Sequence, residues 1–151
     1  MDFPPVTVAA IRYKGPYSDA GRHIGRLMKA VGGKSEGAPF QLYYDPDYRE
    51  IANIALCVPV RQGAAVRGAE VWRLPAFHGI GTTHVGPYPA IGAAYKAVLD
   101  EAARLGLRCT IPAREIYQKG PGLVLRGNSS RYVTQIAVPC ERESGNEREQ
   151  I

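Results

Sequence analysis

The chain repeats itself, and this internal duplication limits its possible folds more than any other feature. Segment 13–17 (Tyr-Lys-Gly-Pro-Tyr) returns 71 residues later as segment 84–88 (His-Val-Gly-Pro-Tyr). Segment 55–60 (Ala-Leu-Cys-Val-Pro-Val) returns 80 residues later as segment 135–140 (Gln-Ile-Ala-Val-Pro-Cys). A loop must absorb the nine-residue difference. Two copies of one structural unit explain this pattern better than two independent domains.

The first copy has the pattern of a strand, a helix and two further strands. A β-branched run at 6–11 predicts the first strand, and Gly-Pro-Tyr ends it. Apolar residues at helical spacing then predict an amphipathic helix that Gly32-Gly33 ends: Ile24, Leu27, Met28 and Val31. The segments 40–44 and 54–60 predict the last two strands.

The second copy has the same pattern. Its strands are predicted at 77–84, 113–117 and 132–138. Its helix follows from a second apolar stripe that ends at Gly106: Ile91, Tyr95, Val98, Ala102 and Leu105. The unit strand–helix–strand–strand therefore occurs twice.

The length of 151 residues implies that the two copies share one core, because half of this length makes a marginal core. We expect one α+β domain over 1–140, with copies at about 1–60 and 70–140. It should be pseudo-twofold, with an antiparallel sheet, two helices and a central groove. The polar tail, 141–151, is expected to be disordered.

Composition excludes several classes of protein. No apolar run reaches the length of a membrane span, and the N-terminus has no secretory signal. The three cysteines suit a reducing cytoplasm, and neither a metal nor a cofactor is expected. The net charge is +5, but Arg22, Arg26 and Lys29 are typical of a solvated helix face. We therefore expect neither nucleic-acid nor membrane binding, and a protein partner stays open.

The motifs, in their order, resemble those of one family. Gly-Pro-Tyr follows the first strand of each copy, and further matches lie at 44–47 (Tyr-Asp-Pro-Asp), 57–60 (Cys-Val-Pro-Val), 114–117 (Arg-Glu-Ile-Tyr) and 120–121 (Gly-Pro). Together they resemble the GyrI-like domain, which is the effector-binding domain of bacterial transcription activators. The resemblance covers about residues 6–140.

This resemblance implies two strand–helix–strand–strand modules with a pocket between them for lipophilic, often cationic, small molecules. Regulator members of the family carry a helix-turn-helix domain as well, for which we see no segment in this sequence, so the chain looks like a stand-alone member. Stand-alone relatives include a gyrase-inhibiting protein and hydrolases that open the cyclopropane of DNA-alkylating natural products.

Glu115 is the principal candidate residue. Strand alternation sends Glu115 and Tyr117 to one face, and the repeat places Gln41 and Tyr43 at the corresponding positions of the first copy. The resemblance implies that Glu115 is the acidic group at the floor of the pocket. Without the resemblance, a solvated strand glutamate would be the simpler interpretation.

Five more residues are candidates for the pocket wall. They are mostly aromatic, and core packing is the alternative role of each: Ile24, Trp72, Tyr88, Tyr95 and Tyr132. A buried tyrosine needs a partner for its hydroxyl, so tyrosines that converge on one groove suit a ligand-binding wall.

Three functions remain open at this stage. The first is binding or sequestration of lipophilic, cationic or aromatic small molecules with Glu115 as the anchor. The second is hydrolysis of reactive cyclopropane-containing compounds, in which Glu115 and Tyr117 would be the catalytic residues. The third is a gyrase-inhibitor-like protein-interaction module.

Overall fold

The computed structural model describes residues 1–16, 19–45, 50–86, 92–119 and 133–142. The first half of the chain contains β1 (Asp2–Phe3), β2 (Val6–Gly15), α1 (Ala20–Val31), a short 3₁₀ turn (Gly32–Lys34), β3 (Phe40–Tyr43), β4 (Ala52–Pro59) and β5 (Glu70–Leu74). The second half contains β6 (Phe77–Val85), α2 (Gly92–Arg104), β7 (Leu107–Cys109), β8 (Ala113–Lys119) and β9 (Val133–Arg142).

The strands form one antiparallel sheet with the order β1-β6-β9-β8-β3-β4-β2-β5, and β7 pairs with β9. The order on either side of the β8–β3 pair mirrors the repeat, since β6, β9 and β8 correspond to β2, β4 and β3. The predicted α+β architecture of two helices on a single antiparallel sheet is confirmed.

The sequence did not predict three of the strands, β1, β5 and β7, and the last strand, β9, ends later than predicted. β1 and β7 are very short, and β5 lies on the sheet edge, where its alternation is weak. β9 continues to Arg142, so the first two residues of the expected tail pair with β7. Both helices end as predicted near a glycine with positive φ, Gly32 at 56° and Gly106 at 70°.

The helices bury their apolar stripes against different halves of the sheet. Ile24, Leu27 and Val31 of α1 pack on the cluster formed by β2 and β4. In α2, Val98 packs with Ile136 and Val138 of β9. Alternate residues of the same strands form a second cluster on the other face of the sheet, including Val8, Phe40, Leu42 and Cys57.

Candidate ligand-binding site between the two repeats

The candidate site lies where the two copies meet, on the central β3–β8 pair. Gln41 and Glu115 are directly opposite each other in this antiparallel ladder, at the positions that the repeat had aligned. Because opposite residues share a face of the sheet, both side chains lie on the helix-bearing face. The flanking positions are Leu56 beside Gln41 and Ile136 beside Glu115.

Glu115 is a buried carboxylate held by two tyrosines. Only 2% of the residue is exposed. The Tyr95 hydroxyl, which comes from α2, donates to Oε1 at 2.7 Å. The Tyr117 hydroxyl, two residues along β8, lies 3.0 Å from Oε2. The site thus places a carboxylate between two phenols, and Tyr117 shares its face with Glu115 as the predicted alternation requires.

Gln41 extends this network into the first copy. It is fully buried, and its Oε1 lies 3.0 Å from the Tyr117 hydroxyl. Among the described residues, its other amide atom, Nε2, has no hydrogen-bond partner. A buried polar atom without a partner costs free energy, so this amide favours a site that a further polar group completes.

Thr134 is a polar residue of this face that our sequence reading missed. It lies opposite Tyr117 in the β8–β9 ladder and is fully buried, and its Oγ1 has no hydrogen-bond partner within the part of the chain that the structure describes. Alternation within the last strand contains the signal, since Thr134 and Ile136 share a face. Threonine is common in strands, however, so Thr134 was interpreted as a β-forming residue and not as a polar group of the site.

The phenol of Tyr95 has a strongly raised pKa. Its burial, the nearby charge of Glu115 and the hydrogen bond to that carboxylate all raise the pKa of Tyr95. Tyr43 adds a smaller contribution in the same direction. Tyr95 therefore stays protonated and donates to Glu115, while its side chain remains partly exposed on α2.

The structure brings some of the other candidates to the same face. Tyr43 and Ile24 both contact the cluster under α1, to which Tyr117 also belongs. Trp72 is separated from them. It lies within β5 opposite Val8, packs in the cluster on the other face of the sheet, and donates from Nε1 to Glu70 at 2.7 Å.

Two candidates, Tyr88 and Tyr132, lie outside the described residues. The basic residues Arg22, Arg26 and Lys29 are exposed on α1. In the described ranges, no three His, Cys, Asp or Glu side chains converge as metal ligands would. Neither α1 nor α2, the described helices, has the length and apolar character that a bilayer crossing requires.

Comparison with known proteins connects this geometry to a fold. No protein-family model and no curated protein matches the chain. Among solved structures, the C-terminal domain of EcmrR is 25% identical with a TM-score of 0.80, and the match covers 95% of this chain and 96% of that domain. The chain has the GyrI-like effector-binding fold.

Two further GyrI-like neighbours are more distant and support the fold alone. A hydrolase from Listeria innocua is 12% identical with a TM-score of 0.63, over 93% of this chain and 91% of that one. SAV2435 bound to tetraphenylphosphonium is 16% identical with a TM-score of 0.58, over 93% of this chain and 95% of that one. The resemblance read from the motifs is thus confirmed.

Proposed function

We propose that this GyrI-like domain binds lipophilic small molecules, cationic or aromatic, between its two repeats, with Glu115 as the acidic anchor. The observation that carries the proposal is the burial of this carboxylate, at 2% exposure, on the central strand pair between the two helix-covered halves. Carboxylates are rarely buried so deeply without a specific role.

The energetics favour a cation. Hydrogen bonds from Tyr95 and Tyr117 offset part of the desolvation of Glu115, yet a carboxylate in a low-dielectric surrounding still attracts a positive charge strongly. Aromatic rings beside such a site add about 0.5–2 kcal/mol of cation–π attraction. Neither interaction demands one ligand shape, and this suits binding of varied compounds.

A ligand reaches Glu115 only if a side chain that covers it moves. Tyr95 is the natural candidate, because it is partly exposed and holds Glu115 by one hydroxyl bond from α2. A cationic ligand would replace that hydroxyl at Oε1 with an interaction in which both partners are charged. Binding therefore exchanges a hydrogen bond from a neutral donor for an ion pair at the same oxygen.

The solved neighbours support this proposal through their shared fold. The structure of SAV2435 has been solved with bound tetraphenylphosphonium, a lipophilic cation. That compound is consequently a direct first probe for this chain, together with a planar cationic dye.

The test is titration calorimetry of the full chain with tetraphenylphosphonium and with the dye. Glu115→Gln removes the charge while keeping the shape, and we expect it to weaken both ligands by about 10- to 100-fold, since hydrogen bonds to charged groups contribute about 1.5–3 kcal/mol. Glu101→Gln, which removes the same charge beside Arg104 on α2, is the matched control and should change little. Equal affinities of wild type and Glu115→Gln would refute the anchor role.

A second candidate is hydrolysis at the same site. It is favoured by the two phenols flanking Glu115, since a carboxylate that orients water next to a phenol that protonates a leaving oxygen is an arrangement suited to general acid–base chemistry. One solved neighbour is a hydrolase. Incubation with a cyclopropane-bearing alkylating agent separates the two functions: multiple turnovers lost in Glu115→Gln indicate an enzyme, whereas stoichiometric capture indicates binding.

A further inference from the structure

We propose that the site selects cations that carry N–H groups, such as protonated amines and amidines, over quaternary cations, and that Gln41 and Thr134 produce this selection. The inference rests on the proposed binding function and names the ligand chemistry within it. In the described ranges, Gln41 and Thr134 are fully buried side chains that each have an atom without a hydrogen-bond partner.

The single hydroxyl proton of Tyr117 determines which atom of the Gln41 amide faces the phenol. Its hydroxyl lies 3.0 Å from Glu115 Oε2 and 3.0 Å from Gln41 Oε1, but a phenol has a single proton to donate. When Glu115 is ionised, the charge-assisted bond is the stronger one, so the proton is directed to the carboxylate. The Tyr117 oxygen then faces the Gln41 amide as an acceptor.

The Gln41 amide must therefore donate an N–H group to the Tyr117 oxygen. A half-turn about its terminal bond exchanges Oε1 and Nε2, which places Nε2 on the Tyr117 oxygen and completes a chain of donors from Gln41 through Tyr117 to Glu115. The carbonyl oxygen then occupies the position that has no partner. Ionised Glu115 and the Gln41 carbonyl thus form a pair of acceptors on the same face of neighbouring strands.

Thr134 adds a third polar oxygen from β9, the neighbour of β8 on the side opposite to β3. Its Oγ1 is buried and without a hydrogen-bond partner, and its position opposite Tyr117 places it on the same face of the sheet. A hydroxyl oxygen accepts as readily as it donates. Polar side chains from three adjacent strands, β3, β8 and β9, therefore lie on this face of the sheet.

This arrangement distinguishes two kinds of cation of equal charge. A primary ammonium or an amidinium has several N–H groups, so it can pair with Glu115 and still donate to Gln41 or Thr134. A quaternary ammonium offers only methyl groups, which leave the Gln41 carbonyl buried and unpaired. Each such unpaired group costs about 1–3 kcal/mol, or roughly 5- to 150-fold in affinity.

The experiment is calorimetry of the full chain with 4-phenylbenzylammonium and with its N,N,N-trimethyl analogue at pH 7, where both carry one positive charge. We expect wild type to bind the primary ammonium about 10-fold more tightly. Gln41→Leu should reduce this ratio towards one by weakening the primary ammonium selectively. Thr134→Val should reduce it less, because Thr134 lies one strand away from Glu115.

The wild-type ratio tests the inference even if the buried variants do not fold. A trimethyl analogue that binds wild type as tightly as the primary ammonium overturns the selection, and a ratio unchanged in folded Gln41→Leu overturns the role of Gln41. If both cations bind and both depend on Glu115, only the selection has failed. If neither cation binds, the proposed function has failed and the selection fails with it.

Discussion

The two repeats share a topology but not a packing density. In the described part of the first repeat, α1 buries Ile24, Leu27 and Val31 in a cluster that continues through β2 and β4. In the described part of the second repeat, α2 buries Val98 and Ala102, and its apolar Leu99 is 49% exposed. Within the described residues, the first repeat is therefore packed more tightly against its helix than the second.

This difference assigns separate tasks to the two halves. The site takes Gln41 from the first repeat, where the surrounding strands are tightly packed, and the Tyr95 cover from the loosely packed α2. Elements that move on binding come from the less stable parts of a fold. We infer that the first repeat holds the site in shape and that α2 provides the motion that admits a ligand.

The largest predicted effect compares two residues at equivalent positions of the repeat. Leu56 and Ile136 are both fully buried and flank Gln41 and Glu115, respectively. We expect Leu56→Ala to lower the free energy of unfolding by about 3–5 kcal/mol and Ile136→Ala by about 2–3 kcal/mol, because a loosely packed region relaxes into a cavity more easily. Urea denaturation followed by circular dichroism measures both.

Unaltered circular dichroism spectra at zero urea show that each variant starts from the native fold. A loss for Ile136→Ala equal to or greater than that for Leu56→Ala would show that the second repeat is as tightly packed as the first, and the proposed division of tasks would fall.

A smaller effect is expected from the two phenols that hold the same carboxylate. Tyr117 is buried and packs in the dense cluster of the first repeat, whereas Tyr95 packs in the looser cluster of the second. Tyr117→Phe removes the hydroxyl shared by Glu115 and Gln41, so we expect a loss of about 1–3 kcal/mol in the free energy of unfolding.

For Tyr95→Phe we expect a loss of only about 0.5–1 kcal/mol, because water can replace the hydroxyl of a partly exposed side chain. Urea denaturation measures the free energy of unfolding of both variants. If Tyr95→Phe proves as costly as Tyr117→Phe, α2 is as firmly attached as β8 and is not the cover that moves.

Much of this architecture was readable from the sequence because it is periodic. The stripe of Ile24, Leu27 and Val31 predicts α1, and the repeat aligns Gln41 with Glu115, which the sheet indeed pairs. Local patterns of this kind depend on residue spacing alone. The polar network was harder to predict, since the bond between Tyr95 and Glu115 joins a helix to a strand.

Two interpretations of the sequence differ from the structure, for separate reasons. Thr134 was passed over because a threonine in a strand indicates first a β-forming residue. Trp72 was assigned to the neighbourhood of the pocket because it precedes the second copy in sequence, but it lies on the edge strand β5 and packs on the other face. Proximity along the chain is a weak guide in a sheet whose order interleaves distant strands.

The smallest effect concerns alkaline stability and compares two thiols, Cys57 and Cys109. Burial raises the pKa of the fully buried Cys57 thiol from 9.0 to about 12, whereas partly exposed Cys109 in β7 has a pKa raised by burial and by Cys140. The folded chain keeps its thiol protons when the unfolded chain has lost them. This stabilisation is therefore complete below pH 9 and decreases as pH rises toward 12.

Between pH 8 and pH 10 we expect the Cys57 thiol to account for a loss on the order of 1 kcal/mol in the free energy of unfolding. Cys57→Ala should lack that part of the loss, whereas Cys109→Ala should lack a smaller part of it, because the Cys109 thiol is less buried. Urea denaturation of wild type and the two variants at pH 8 and pH 10 measures this change in the free energy of unfolding. The destabilisation caused by the cavity in each variant is the same at both pH values, so it cancels in the difference. If the stability of Cys109→Ala changed as little between the two pH values as that of Cys57→Ala, the second repeat would shield its groups from water as well as the first does. That result would contradict the looser packing of the second repeat.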